Sequence, residues 1–450
     1  MTGRDTTEVR PRTRRAVLAA VGTGGALTLA GCLGGDDDET DDDGLEAAED
    51  LVRIGASIPE SGDRRGEGEL LREGYEMAVR DINDGDGATT AAVWDDIDQG
   101  VHGHDLAVEF ADTGSSRDGA RQAATELVDI EGADVLTGGA SRAEGIGHQE
   151  AASDTETLYL GGYTPSNALA GEFCSSYSFN QMPNSTLIAR ALEPVVIEEF
   201  GDEFDFVQLY PDSDAGQEFR DTMRTTVEDE FAQERNQLAT ESTRVGTRDF
   251  EEPVADALSR TPDVVILNYY GVDGAAVLRE TVSQIAERDD EIAIVVPLLN
   301  HPLLENAADS LAGVIGTMPW TDAYSDINMD EFTAAFRESW ADFAGEDSPT
   351  TPPALVHLAY VQTCQFVAAA ERADSLDPDE LVDELAGHTY DVGAGEQELR
   401  ACDRQAIGNV PVVRGLPEAE QADGQFVERI DPGQDAAYGC EEEPAADCDL

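Results

Sequence analysis

Beyond residue 50 the apolar positions of the chain switch repeatedly between two periods. Residues 51–56 form a short apolar run broken only by Arg53, which predicts a strand. Residues 69–82 carry Leu70, Tyr75, Met77, Ala78 and Ile82 at helical spacing. The pattern repeats with a strand over 106–110, a helix over 116–130 opened by Ser115 and Ser116, and a strand over 135–136 running into Gly138-Gly139. A helix from Arg142 and a strand over 157–160 close this series. A second series has helix 187–200, strand 205–210, helix 217–231, the apolar strand 263–268, helix 274–285 and strand 292–296. Such alternation predicts parallel sheets with helices on both faces, and two series predict two lobes.

The first fifty residues follow another pattern. Arg14-Arg15 precede an apolar stretch from Ala16 to Ala30, shorter than the roughly twenty residues a membrane span needs. Paired arginines point to the export route that carries folded cargo. Leu29-Ala30-Gly31-Cys32 is similar to a lipobox, in which the cysteine is lipidated and heads the mature chain. Residues 1–31 therefore read as a twin-arginine lipoprotein signal peptide, with Cys32 as the lipidation site on the outer face of the cell membrane. Residues 32–50 hold Asp36-Asp37-Asp38-Glu39 and Asp41-Asp42-Asp43 with almost nothing to bury, and read as an acidic flexible tether. They lack the Gly and Glu spacing of a calcium loop.

The formal charge is −67, from 95 acidic against 28 basic residues, and all the basic residues are arginine. High charge alone would suggest disorder, but 40% of residues are apolar and fall in periodic segments, so the chain folds. An acidic coat of this density repels itself unless salt screens it. The composition resembles that of proteins from salt-loving archaea, and it excludes nucleic acid as a partner, which needs a basic patch. Besides Cys32 there are Cys174, Cys364, Cys402, Cys440 and Cys448, enough for two disulfides and one free thiol. Cys364 lies in the apolar helical pattern 358–370 and reads as the buried free thiol. Cys402 with Cys440, Cys402 with Cys174, and the short Cys440–Cys448 loop all remain open.

Catalytic readings find little support. His102 and His104, with Asp105, have a metal-site look, but they stand two apart in a turn and no second His cluster supplies further ligands. Ser141 has no G-x-S-x-G elbow and no placed His–Asp pair. Gly22-Thr23-Gly24-Gly25 lies inside the export segment, and the sequence contains no P-loop. No cofactor, metal or catalytic residue is assigned.

The order of motifs resembles a known family. Its markers are Ile54-Gly55 followed by Ser57-Ile58-Pro59-Glu60-Ser61-Gly62, the segment Glu73-Gly74-Tyr75-Glu76-Met77-Ala78-Val79 ending in Asp81-Ile82-Asn83, and His102-Gly103 before a strand closing with Asp112-Thr113. Gly138-Gly139-Ala140-Ser141, Tyr210-Pro211-Asp212-Ser213-Asp214-Ala215-Gly216, Pro262-Asp263-Val264-Val265 and a late helix with Ala359-Tyr360 continue it. From about Val52 to Val427 the chain is similar to the extracellular substrate-binding proteins of ABC importers, of the branched-chain amino acid and amide type. The resemblance implies an α/β fold of two Rossmann-like lobes with parallel sheets joined by a three-crossover hinge, the type I periplasmic binding protein fold. Lobe 1 would comprise 51–179 plus about 321–396, lobe 2 would comprise 180–320 plus about 397–438, and 439–450 would be an acidic tail. The implied function is capture of a small polar solute (an amino acid, amide or short carboxylate) by lobe closure. Delivery would be to a permease whose ATPase is a separate chain, by a monomer held to the membrane through lipid on Cys32. The alternatives are a lipid-anchored sensor of the same fold that signals to a transducer, and an extracellular amidase or hydrolase.

In open α/β sheets the ligand lies beyond the carboxyl ends of the strands. That places loops 59–68, 138–142 and 161–167 of the first lobe, and 212–216, 268–271 and 298–300 of the second, at the cleft. By resemblance, Ala140 and Ser141, with Gly162, Tyr163 and Thr164, would clamp a ligand carboxylate through backbone amides and hydroxyls. Family members often carry an aromatic where Ala215 and Glu67 stand, and an acid for the ligand amino group near 298–300; this chain has none of these. Glu67 and Asp214 would substitute as acids, and Tyr269 and Tyr270 through hydroxyl or cation–π contacts.

Overall fold

In a computed structural model, which describes residues 51–450 apart from 91, 202, 230–235, 290, 322–329, 346–347, 422–423 and 435, the two series become two sheets. The export segment, Cys32 and the tether lie outside the described residues. The first sheet contains β1 (Val52–Ile58), β2 (Leu106–Asp112), β3 (Val135–Gly138), β4 (Tyr159–Gly161) and β5 (Ser178–Asn180), in the order β2-β1-β3-β4-β5. All its pairings are parallel. Strands β3 and β4 are wholly buried, as expected when helices cover both faces. Helices α1 (Arg65–Asp84), α2 (Arg117–Asp129) and α3 (Arg142–Thr155) connect the strands.

The second sheet runs β15-β14-β10-β9-β8-β6-β7. Its parallel part is β6 (Asp205–Pro211), β7 (Asn236–Thr243), β8 (Val264–Leu267), β9 (Ala293–Leu298) and β10 (Ile315–Thr317). Helix α4 (Ser185–Phe200) leads into them, and between them lie α5 (Asp214–Asp229), α6 (Glu251–Leu258), α7 (Gly271–Ala286) and α8 (His301–Asn306). Three helices then follow: α9 (Asp330–Phe343), α10 (Ala354–Ala373) and α11 (Pro378–Leu385). Helix α10 returns to the first lobe and packs along α1. A Cβ on Gly74 would lie 2.5 Å from the Val356 carbonyl, so the crossing needs a glycine there. Tyr75, from α1, donates to Gln362 of α10 at 2.9 Å and meets Thr137 of β3 at 2.8 Å. A small antiparallel sheet of β11 (Thr389–Asp391), β12 (Glu396–Leu399) and β13 (Ala406–Ile407) precedes β14 (Val412–Gly415) and β15 (Val427–Asp431), which complete the second sheet antiparallel. The chain therefore passes between lobes after β5, after β10 and after β13. At the hinge, Gln405 donates from Nε2 to the carbonyls of Asn180 and Met182 at 3.0 and 2.9 Å.

Disulfides join Cys402 to Cys440 and Cys174 to Cys448, which rules out the Cys402–Cys174 and Cys440–Cys448 alternatives. Cys364 is free and buried in α10. Residues 439–450 are thereby seated on the fold, with Ala445 buried. His102 sits in its turn with Nε2 2.9 Å from the Ala370 carbonyl, while the backbones of Val101 and His104 pair at 2.8 and 2.9 Å. Among the described residues no group of three or more His, Cys, Asp or Glu side chains is placed to hold a metal ion, and no helix is long and apolar enough to cross a membrane.

Candidate functional site

The loops at the carboxyl ends of both sheets enclose a cavity of about 430 Å³. From the first lobe come Asp63, Arg64, Ser115, Ser141 and Arg142, and from the second Pro211 to Gly216 in part, Phe219, Asn268, Tyr269, Tyr270 and Asp273. The first-lobe loops are held close. Gly138 has φ of +112° and a Cβ there would lie 2.0 Å from the Ser57 carbonyl, so the β3 turn can press on β1 only without a side chain.

Ser141 lines the cavity, but its hydroxyl is already engaged. It caps α3 by accepting from the Glu144 amide at 3.3 Å and donates to Glu144 Oε2 at 2.7 Å. The Ala140 amide donates to the same carboxylate oxygen at 3.3 Å, and Thr113 Oγ1 donates to the other oxygen. Glu144, fully buried, thus fills the slot expected to receive a ligand carboxylate. Burial pushes its pKa up against the hydrogen bonds from Thr113 and Ser141. The signal was present in the sequence: Ser141 followed three residues later by Glu144 has capping-box spacing. The neighbouring amides are likewise occupied. Gly162 N donates to Gly138 O at 2.8 Å, Tyr163 N to Gly139 O at 2.9 Å and Thr164 N to Gly162 O at 2.9 Å. Ala140, Gly162 and Thr164 stand buried behind the cavity wall and do not line it.

The other expected residues form the contact between lobes. Arg64 lays its guanidinium 3.8 Å from the centre of the Tyr270 ring and 3.2 Å from Glu67 Oε1. Asn300 donates from Nδ2 to the same Glu67 oxygen at 3.4 Å, and its Oδ1 accepts the Gly271 amide at 2.9 Å. Glu67 is therefore a buried lobe-1 carboxylate docked beside the N-terminus of α7. Tyr163 meets Tyr270 edge-on at 6.3 Å between centroids, and burial raises both phenols. Tyr269 Oη pairs with Thr243 Oγ1 at 2.8 Å. Asp214 is exposed and faces Arg142 at 3.2 Å; Arg142 also lies 3.3 Å from Glu218. Glu218, from α5, accepts Ser166 Oγ at 2.7 Å and the Asn167 amide at 2.8 Å across the lobes. Of the nine expected ligand residues, the structure brings Ser141, Asp214, Tyr269 and Tyr270 to the cavity wall. Arg64, Arg142 and Asp273, which also line the cavity, and Glu144 behind it are not among the nine.

The model of the family described as periplasmic binding protein matches residues 51–421. Among solved structures, a periplasmic binding protein from Burkholderia mallei is similar at 19% identity and a TM-score of 0.74, covering 88% of this chain and 99% of that one. A branched-chain amino acid transporter substrate-binding protein from Streptococcus pneumoniae, in complex with isoleucine, matches at 17% identity and a TM-score of 0.68, covering 84% and 99%. A solute-binding protein of an ABC transporter from R. palustris, in complex with benzoate, matches at 16% identity and a TM-score of 0.70, covering 89% and 100%. No significant match was found among curated proteins. The family model spans both lobes and every loop of the cavity, and the chain belongs to the periplasmic binding protein family.

Proposed function

We propose that this protein is the extracellular solute-binding component of an ABC importer. It captures a small polar solute (an amino acid, amide or short carboxylate) between its lobes and hands it to a permease served by a separate ATPase. The observation that carries this is the 430 Å³ cavity walled by the strand-end loops of both lobes, with the family match along the same residues. A ligand in it touches both walls only when the lobes are together, so binding energy is converted into closure. Hinge closure of this kind is the motion for which periplasmic binding proteins are the standard example. The protein acts as a monomer without catalysis, exported by the twin-arginine route and anchored on the outer face of the membrane by lipid on Cys32. The anchor keeps the loaded protein at high local concentration beside the permease.

The test is a thermal-shift screen in molar KCl against amino acids, amides, urea and short carboxylates, with recovery of each ligand afterwards. A ligand present at a hundred times its Kd stabilises a binding protein by about 2.7 kcal/mol. A shift with the ligand recovered intact supports the reading; a consumed ligand, or a folded sample that responds to none of them, overturns it.

A further inference from the structure

Resting on the binding-protein reading, we propose that Asn268 determines specificity in the second lobe and selects a ligand that presents an uncharged hydrogen-bond donor, an amide N–H or a hydroxyl, in preference to an ammonium. Its orientation follows from a chain of hydrogen bonds that starts at a group able only to accept. Gln208 Nε2 donates to the Arg220 carbonyl at 3.0 Å. A carbonyl cannot donate, so the nitrogen of the Gln208 amide must face it, and Gln208 Oε1 must face the other way. That oxygen accepts Asn268 Nδ2 at 2.8 Å, and the same Nδ2 lies 3.4 Å from the Leu209 carbonyl, a second pure acceptor. The nitrogen of Asn268 is thereby pinned toward the β6 backbone, which leaves Oδ1 as its free polar atom.

Asn268 is 5% exposed, lines the cavity, and its Oδ1 has no protein partner. It also opens on a small niche continuous with the same loops, walled by Phe219, Tyr269, Tyr270, Pro297 and Leu298. A buried carbonyl oxygen without a partner calls for a donor. The charges around the cavity decide which kind. Asp273 is bonded to Arg248, Asp63 lies 4.0 Å from Arg248, and Asp214 lies 3.2 Å from Arg142. Every carboxylate lining the cavity already faces a guanidinium, so an ammonium entering here would be desolvated against a neutral oxygen. An amide or alcohol loses far less and satisfies Oδ1 fully.

The experiment uses matched ligands that share a side chain and carboxylate and differ in the α-substituent that carries the donor. These are leucine, its α-hydroxy analogue leucic acid and N-acetyl-leucine, with the corresponding phenylalanine series, titrated calorimetrically into the purified protein in molar KCl. The hydroxyl and amide members are expected to bind at least about tenfold more tightly than the ammonium members. Asn268→Ala should weaken them by about tenfold and erase the preference, and Asn268→Asp should turn it toward the ammonium members. The comparison of ligands on the unaltered protein stands even if a variant fails to fold. Ammonium members that bind as tightly as their analogues, or a preference untouched by Asn268→Ala, overturn the inference and leave the binding-protein reading in place. No binding by either series also overturns it, and the function then rests on the broader screen.

Discussion

Ser141 accepts the Glu144 amide and donates to its carboxylate, so removing its hydroxyl strikes a helix cap before it touches a ligand. Ser141→Ala is expected to cost about 1 kcal/mol of stability, read as a lower urea midpoint at unchanged slope. A midpoint equal to wild type would show that the cap contributes nothing. A second expectation concerns His148 and His357, whose imidazoles burial pushes down to about 3. The unfolded chain protonates each near pH ~6.5. Their contribution is therefore complete above that pH and is lost as the pH falls toward 3, at about 1.4 kcal/mol per pH unit for each ring. His148→Gln should flatten the pH dependence of unfolding free energy between about pH 6 and 4 by that amount, and an unchanged slope would mean that His148 titrates in the folded state. The raised pKa of Glu144 acts with the opposite sign and is present in both proteins, so the difference isolates the histidine. The site was legible at this scale only in part. Ser141, Asp214, Tyr269 and Tyr270 were placed by their loops. Arg64 was not, because its role depends on a partner 206 residues away, and Glu144 showed in the sequence only as a helix cap and not as the group that occupies the Ala140 amide and Thr113 hydroxyl.

Helix α7 begins at Gly271, whose φ is +66° and whose missing side chain makes room for the Glu67 carboxylate; a Cβ would lie 2.5 Å from Oε1 and 3.1 Å from Arg64 Nη1. Gly271→Ala should therefore strain the helix start by about 1–2 kcal/mol and dislodge the Arg64–Glu67 pair from the second lobe. The unliganded protein should become more open, read as a larger radius of gyration by small-angle X-ray scattering. Gly246→Ala supplies the control, since its φ is +77° yet its Cβ would meet only Asp63 Oδ2 at 3.8 Å. Equal expansion in both variants would assign the effect to backbone strain rather than to the contact between lobes. Element legibility followed the strength of the period. The apolar runs of β8, fully buried, and β9, buried after Ala293, and the amphipathic α1 are legible to within a few residues. Strand β7, Asn236-Gln-Leu-Ala-Thr-Glu-Ser-Thr, is a half-exposed edge strand with almost no apolar signal, and the three-residue β5 and β11 carry too few positions to show a period. Helix α6 is eight residues long, and its apolar face covers barely two turns.

At the scale of the whole molecule the two disulfides tie the end of the chain back onto earlier elements, one across 38 residues and one across 274. Loop closure in the unfolded chain predicts up to about 5 kcal/mol for the longer one, so the paired Cys174→Ser, Cys448→Ser variant should unfold at markedly lower urea; a shift under about 1 kcal/mol would mean that the unfolded chain gains little freedom. Charge acts on the same scale and reaches function. With 95 acidic residues against 28 arginines, most carboxylates can have no arginine of their own, and compaction brings like charges closer. The Debye length falls from about 10 Å in 0.1 M salt to about 3 Å in 1 M. Tm should rise steeply over that range and more slowly beyond it, with the same curve in KCl and NaCl; a strong difference between the cations, or saturation at millimolar salt, would indicate specific ion binding. Closure repeats this compaction locally, because Asp214 and Glu218 share Arg142, and Asp63 and Asp273 share Arg248, where the lobes meet. On lowering the salt, ligand affinity should therefore fall before secondary structure does. Titrating a hit from the thermal screen across a KCl series, with circular dichroism on the same samples, checks this. Affinity that holds steady until the fold is lost would show that the arginines neutralise the lobe interface unaided.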